Sequence, residues 1–245
     1  MPYYRIIRPL KTEKYNYARG NRDIVYENKY YDRLQLIRAF KIIEKDLENL
    51  FEYIEPDQSN FKVFSLKLYE LFLRICTEYE SNCKAILKAN KYLKPENEWG
   101  IKSYNLIEVS SKLSSYSVKI SGLDKTFVPF VDWKNDNSLS WYQDYNEVKH
   151  NRNTSFKKAN LENVLNAVSG LIVILFSQFH VQMNNYKNDF NPVINDDEFD
   201  SYQLIDSLFT ITVDYSVWKD DEKYEYKEDG NYEMQKFDFD VYKNS

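Results

Sequence analysis

Between Trp141 and Asn153 the chain carries its densest run of polar and ionisable side chains: Trp141-Tyr142-Gln143-Asp144-Tyr145-Asn146-Glu147-Val148-Lys149-His150-Asn151-Arg152-Asn153. A histidine takes and returns protons near neutrality, and a neighbouring arginine balances the charge of a phosphorane-like transition state. Together they suit RNA strand cleavage that needs no metal. Asn146 and His150 are four residues apart, so a helix sets them about 40° from one another on a shared face. His150 and Arg152 are two apart, a turn of about 200°, and converge only where the helix ends near His150. The run Asn151-Arg152-Asn153-Thr154 reads as such an ending, because Asn tolerates the left-handed conformation found past helix termini. His150, Arg152 and Asn146 are therefore the candidate catalytic residues, and Lys149, Asn151, Lys157 and Lys158 the candidate RNA contacts. A second use of a histidine and an arginine here is structural: a C-terminal His caps the last carbonyls, and Arg152 bridges to an acidic neighbour.

Helices must position this run. From about residue 30, Leu36, Phe40, Ile43, Leu47, Leu50 and Ile54 recur at alternating spacings of four and three, one seam of an amphipathic helix. After Pro56, Asp57 and Ser59, a second helix is expected from about 60 to 92 with the seam Leu68, Phe72, Ile75, Tyr79, Cys83 and Ile86; Arg74, Glu78 and Ser81 on its polar side are further groups for the site. Long helices with a short connection pack antiparallel. A third helix is expected at about 102–115, then a β-hairpin over about 116–131, turning at Gly122-Leu123-Asp124-Lys125, with Pro129 marking an edge strand. A short helix over about 138–149 and a long one over about 158–186 complete the bundle. Val173 and Ile174 widen the last helix's buried face, which places it at the centre, and Gly170 marks a close crossing. Its uninterrupted apolar run, Leu171 to Phe176, is far shorter than the roughly 20 residues of a membrane span. Phe209, Ile211 and Val213, alternating with Thr210 and Thr212, form a strand.

The fold class expected is mainly α: an antiparallel helical bundle with a small β-hairpin insertion and an acidic, partly β C-terminal extension. Three segments follow: a basic aromatic arm (1–29), the helical bundle (30–190) and a Tyr/Asp-rich extension (191–245). The net charge of -5 is unevenly spread, since residues 195–245 carry a balance of -10 and the rest +5. Arg5, Arg8, Lys11, Lys14, Arg19 and Arg22, interleaved with Tyr3, Tyr4, Tyr15 and Tyr17, suit nucleic acid, one group answering phosphate and the other stacking on bases; equally, the arm lies on the body with its tyrosines buried. Aromatic residues reach 17%, Gly and Pro number only 5 and 6, and mean hydropathy is -0.66. Those values disfavour an all-β, fibrous or membrane protein. With no charged-then-apolar leader, the expected location is the cytoplasm. Cys76 and Cys83 are seven apart on one apolar stripe, about 10 Å, too far for a disulfide. His150 and His180 complete no zinc spacing, so neither metal nor cofactor is expected. No glycine loop cradles phosphate and no nucleophile elbow is present, which excludes kinase, dehydrogenase and α/β-hydrolase chemistry.

The segment Asn146-Glu147-Val148-Lys149-His150 within a helical bundle resembles the HEPN superfamily, whose signature is Arg, usually followed by Asn, Asp or His, and a His some three residues later. The resemblance covers about residues 30–186. It implies a small bundle that dimerises so that two motifs face each other. It also implies, as for many members, a metal-independent endoribonuclease of toxin–antitoxin, abortive-infection or CRISPR-linked defence. Asn146 matches the polar second position and His150 the histidine, whereas Tyr145 stands where the family has Arg. Arg152, two residues beyond His150, is the cation available in its place. In one toxin group that later position is a Tyr modified by a partner nucleotidyltransferase, a regulation Arg152 does not allow. The implied partners are a second copy of the chain, RNA as substrate or ligand, and a cognate inhibitor or sensor protein, with no membrane. The alternatives are a non-catalytic HEPN-like module binding RNA, nucleotide or protein, and an interaction protein acting through its acidic tail as a nucleic-acid mimic.

Overall fold

The computed structural model describes residues 1–12, 14–27, 32–180, 193–194, 201–203 and 207–242. It is mainly helical with some antiparallel strands. The spans 28–31 and 181–192, where the arm was expected to meet the bundle and the last helix to run on to 186, lie outside the described residues.

Helix α1 (Lys14–Glu27) is followed by α2 (Arg33–Phe51), which buries Ile37, Phe40, Ile43 and Leu47. Helix α3 (Leu66–Ala89) buries every residue of its expected seam, from Leu68 through Tyr79 to Ile86. It starts at Leu66 rather than near 60 because the preceding backbone is used elsewhere. Phe61 and Val63 carbonyls accept the Glu162 and Leu161 amides at 3.1 and 2.9 Å, and Ser65 Oγ caps the helix by accepting the Leu68 amide at 3.1 Å. Helix α4 (Ile101–Ser111), α5 (Ser140–His150), the single turn α6 (Arg152–Ser155) and α7 (Leu161–Phe179) follow. Cys76 and Cys83 are free thiols, fully buried on the α3 seam, and burial pushes both thiols up.

The hairpin and the acidic extension share one sheet. Strands β2 (Tyr116–Ile120) and β3 (Thr126–Phe127) turn through Gly122, whose φ of +83° is a backbone position that glycine adopts without strain. Beyond β1 (Leu10–Lys11), β4 (Val193–Ile194), β5 (Ser201–Gln203), β6 (Phe209–Val213) and β7 (Tyr224–Glu225) complete the strands. The sheet order is β3-β2-β6-β5-β4, with β1 and β7 paired apart. β2 and β6 are antiparallel over their full lengths, from Tyr116 opposite Val213 to Ile120 opposite Phe209. Their alternating residues Tyr116, Val118, Ile120, Phe209, Ile211 and Val213 are all buried, the period of two expected of a sheet with one covered face. β3 is an edge strand and ends before Pro129.

The acidic tail also covers the basic N-terminal segment. Arg8 lies 4.9 Å from the Tyr3 ring, 5.2 Å from Trp218 and 5.3 Å from Phe237, and donates to the Ser110 carbonyl at 3.0 Å. Lys11 pairs with Glu225 at 2.6 Å, and Arg5 pairs with Asp32 while donating to Gln178 at 2.9 Å. Arg5 and Arg8 are thus buried against the body.

Helix α7 is long and apolar enough to cross a membrane by length and composition, yet 89% of that stretch is buried within the protein. It packs on α2, α3 and α5 and, through β2 and β3, on the sheet. Trp141 of α5 sits on Gly170, where an added Cβ would lie 3.0 Å from the indole ring, and the indole N–H donates to the Pro129 carbonyl at 2.9 Å. Trp133 and Trp141 are both core residues.

Two predictions follow from this packing. Deleting residues 207–245 removes β6 from beside β2 and exposes Tyr116, Val118 and Ile120; the expected result is loss of soluble, cooperatively melting protein, measured by circular dichroism. A truncated chain with an unchanged melt would show that the extension is dispensable. The second concerns His180, which closes α7 and whose Nε2 lies 3.0 Å from the Tyr215 hydroxyl. Burial lowers its pKa to about 3 from an ordinary 6.5. The unfolded chain therefore binds a proton that the folded one refuses, so stability falls as pH drops below about 6.5. Between pH 7 and 5 the loss should be about 2 kcal/mol in urea unfolding. That slope should vanish in His180→Gln.

Candidate functional site

Helix α5 buries Trp141, Tyr142, Tyr145 and Val148 and turns its polar residues outward. Tyr145 is 1% exposed; its ring meets Phe72 at 6.1 Å and Tyr142 at 5.4 Å, and its hydroxyl accepts from Lys149 Nζ at 3.0 Å. The position at which the HEPN signature has Arg is thus a core position here. Across from it, Glu80 of α3 accepts the Tyr142 hydroxyl at 2.8 Å and lies 3.9 Å from the Lys149 ammonium. Burial raises the Tyr142 and Tyr145 hydroxyls, and the hydrogen bond to Tyr145, assisted by Glu80, raises Lys149.

Helix α5 ends within the run of candidate residues. His150 is its last residue; Asn151 leaves helical geometry at φ -132° and ψ 53°, its amide donating to the Glu147 carbonyl at 2.8 Å; and Arg152 opens α6. His150, Asn151, Arg152 and Lys157 are exposed there, and Asn146 is half-buried one turn back. Lys158 is held differently: it bridges Asp144 and Glu147 at 2.8 Å each, and these carboxylates raise its pKa. Asp144 in turn accepts from Asn163 Nδ2 at 2.8 Å. Of the candidate RNA contacts, Lys149 and Lys158 are therefore tied to carboxylates, whereas Asn151 and Lys157 are exposed and Lys157 is in no ion pair with a described residue.

Arg152 and Lys157 form no ion pair with any described residue, and both lie against aromatic rings. The Arg152 guanidinium sits 4.8 Å from the Tyr69 centroid and 5.6 Å from Phe156, and Lys157 lies 5.9 Å from Phe64. Phe156 meets both Phe64 and Tyr69 at 5.8 Å. These rings were absent from the sequence-based candidates. Their signal was available: Phe64 precedes the Ser65 cap and Tyr69 is the fourth helical residue, the two positions of a hydrophobic staple. Glu80 was missed as well; it lies eleven residues, about three turns, beyond Tyr69 on the same face.

Arg74, expected to add a polar group near His150, faces elsewhere. It pairs with Asp46 and, with Asn49, Leu50, Tyr53 and Lys67, lines a cleft of about 420 Å³ between α2 and α3.

No protein-family model, curated protein or solved structure matches the chain.

The burial of Tyr145 yields a prediction. Tyr145→Arg, which introduces the residue of the signature that the sequence resembles, places an unpaired charge in the core. It should destabilise the protein by about 3 kcal/mol or more in denaturant unfolding. A variant of unchanged stability with increased RNA cleavage would show that this position faces a catalytic cleft.

Proposed function

We propose that the chain is a HEPN-like, metal-independent endoribonuclease acting on single-stranded RNA, serving as a toxin or phage-defence effector in the cytoplasm. The observation that carries this reading is the end of α5 at His150 with Arg152 opening the next turn, both exposed. In this scheme His150 takes the proton of a ribose 2′-hydroxyl, and the freed oxygen attacks the adjacent phosphorus. Arg152 balances the phosphorane charge. The P–O5′ bond breaks, leaving a 2′,3′-cyclic phosphate on one fragment. The departing 5′-oxygen takes a proton from water or from the histidine of a second copy. Asn146 and Asn151 supply neutral hydrogen bonds near the scissile phosphate. A homodimer and a cognate inhibitor or sensor belong to the same proposal.

A second reading is favoured by one observation. Tyr145 is in the core, so the cation usual beside the family's histidine is missing from its place. That favours a non-catalytic module which binds RNA and leaves it intact.

Purified wild type and the His150→Ala and Arg152→Ala variants separate the two. The ribonuclease predicts cleavage by wild type in the presence of a chelator, with cyclic-phosphate ends, and a loss of roughly 100-fold or more in either variant at an unchanged melting temperature. RNA that is bound but uncut by all three proteins moves the assignment to the binding module.

A further inference from the structure

We infer that Phe64, Phe156 and Tyr69, flanked by Arg152 and Lys157, form a stacking subsite for unpaired RNA bases where the segment after α5 meets the start of α3; the inference rests on the RNA reading above and deepens it. Phe64 is 40% exposed, and Val63 and Leu66 on either side are 37% and 50% exposed, an apolar patch at the mouth of the site. Phe64 thus keeps part of its ring open to solvent while the rest packs against Phe156. Its edge-on contact with Phe156 and the tilted contact of Phe156 with Tyr69 extend the ring surface inward from the patch.

Charge then selects the occupant. The nearby carboxylates are already engaged: Glu162 by Lys62 and Lys125, Glu147 by Lys158, Glu70 by Lys67. Arg152 and Lys157 remain unpaired with any described carboxylate and lie within 6 Å of the rings. Rings for base faces with cations for phosphates is the combination by which single strands are held without sequence preference. A duplex hides its base faces, so the subsite discriminates against double-stranded RNA.

The platform is also fixed in advance. Phe64 forms a β-bridge with Asn160, Val63 accepts the Leu161 amide at 2.9 Å, and Ser65 caps α3. Little ordering is left for the moment of binding, which favours affinity.

The test uses the full chain and a short, all-2′-O-methyl RNA that cannot be cleaved, carrying a 2-aminopurine whose fluorescence is quenched on stacking. Wild type should bind and quench it, and bind the duplex of the same sequence at least about tenfold more weakly. Phe64→Leu and Phe156→Leu keep apolar bulk and should each weaken binding about tenfold and relieve quenching. Lys157→Ala, an exposed change that does not disturb packing, should lower the slope of log affinity against log salt by about 0.7. If Phe64→Leu binds and quenches as wild type does while His150→Ala loses cleavage of ordinary RNA, the subsite is wrong and the ribonuclease stands. If wild type binds no RNA, both fall. If Phe64→Leu instead abolishes self-association in sedimentation with RNA affinity unchanged, the patch is covered by a second copy and the inference is overturned.

Discussion

Helix α7 has no polar face for most of its length. From Val164 to Phe179 nearly every residue is buried, including Ser169, Ser177 and Gln178. A helix apolar all round needs cover on every side. Helices α2, α3 and α5 supply part of that cover, and the sheet supplies the rest. The sheet cannot do so with the hairpin alone, since β2 would then be left with one partner of two residues. Strand β6 completes it, and the acidic segment that carries β6 is thereby drawn onto the body. The same requirement positions the site. Trp141 is seated on Gly170 of α7, Tyr142 and Tyr145 follow it onto α3, and His150 lies at the far end of a helix whose axis is set by those contacts.

Charge distribution follows from the same fold. In sequence, residues 195–245 carry a balance of -10 and the rest of the chain +5. In three dimensions the acidic segment pairs with the N-terminal segment through Lys11 with Glu225, and with the body through Lys112 with Glu222. Arg8 goes further and sits among Tyr3, Trp218 and Phe237, where cation–π attraction replaces hydration. An Arg/Tyr-rich segment therefore suits an internal clasp as well as it suits nucleic acid. The choice depends on whether a matching acidic and aromatic surface exists in the same chain, and here residues 218–239 provide it.

What was legible in the sequence was what depends on local period. The α3 seam from Leu68 to Ile86, the end of α5 at His150, the hairpin turn at Gly122 and the alternation at Phe209, Ile211 and Val213 are each set by neighbours a few residues away. Pairing between β2 and β6 joins segments about ninety residues apart, and alternation names a strand without naming its partner. The start of α3 was misplaced for a related reason. Residues 61–64 have helix-compatible types, but their carbonyls bond to the first turn of α7. At the site, the ionisable residues were visible because their chemistry is carried by type. The aromatic rings were not, since Phe64, Tyr69 and Phe156 come together only when α3 meets the segment after α5. Lys158 was visible yet ambiguous: a lysine in a basic run is indistinguishable by type from one clamped between Asp144 and Glu147.

The end of α5 sets a limit on how any phosphate chain approaches His150. A helix C-terminus carries partial negative charge, and Glu147 and Glu80 add to it. Lys149 is stabilised by that field, and Glu80, Asp144 and Glu147 hold Lys149 and Lys158 close. An anion brought to the same end along the helix axis meets the opposite sign. Favourable phosphate contacts therefore lie off the axis, toward Arg152 and Lys157, which lie beyond the terminus and are unpaired with any described carboxylate. On the proposed reading, a strand following those two cations would pass Phe156, whose ring meets both Phe64 and Tyr69. Its phosphates would then face the cations and its bases the rings.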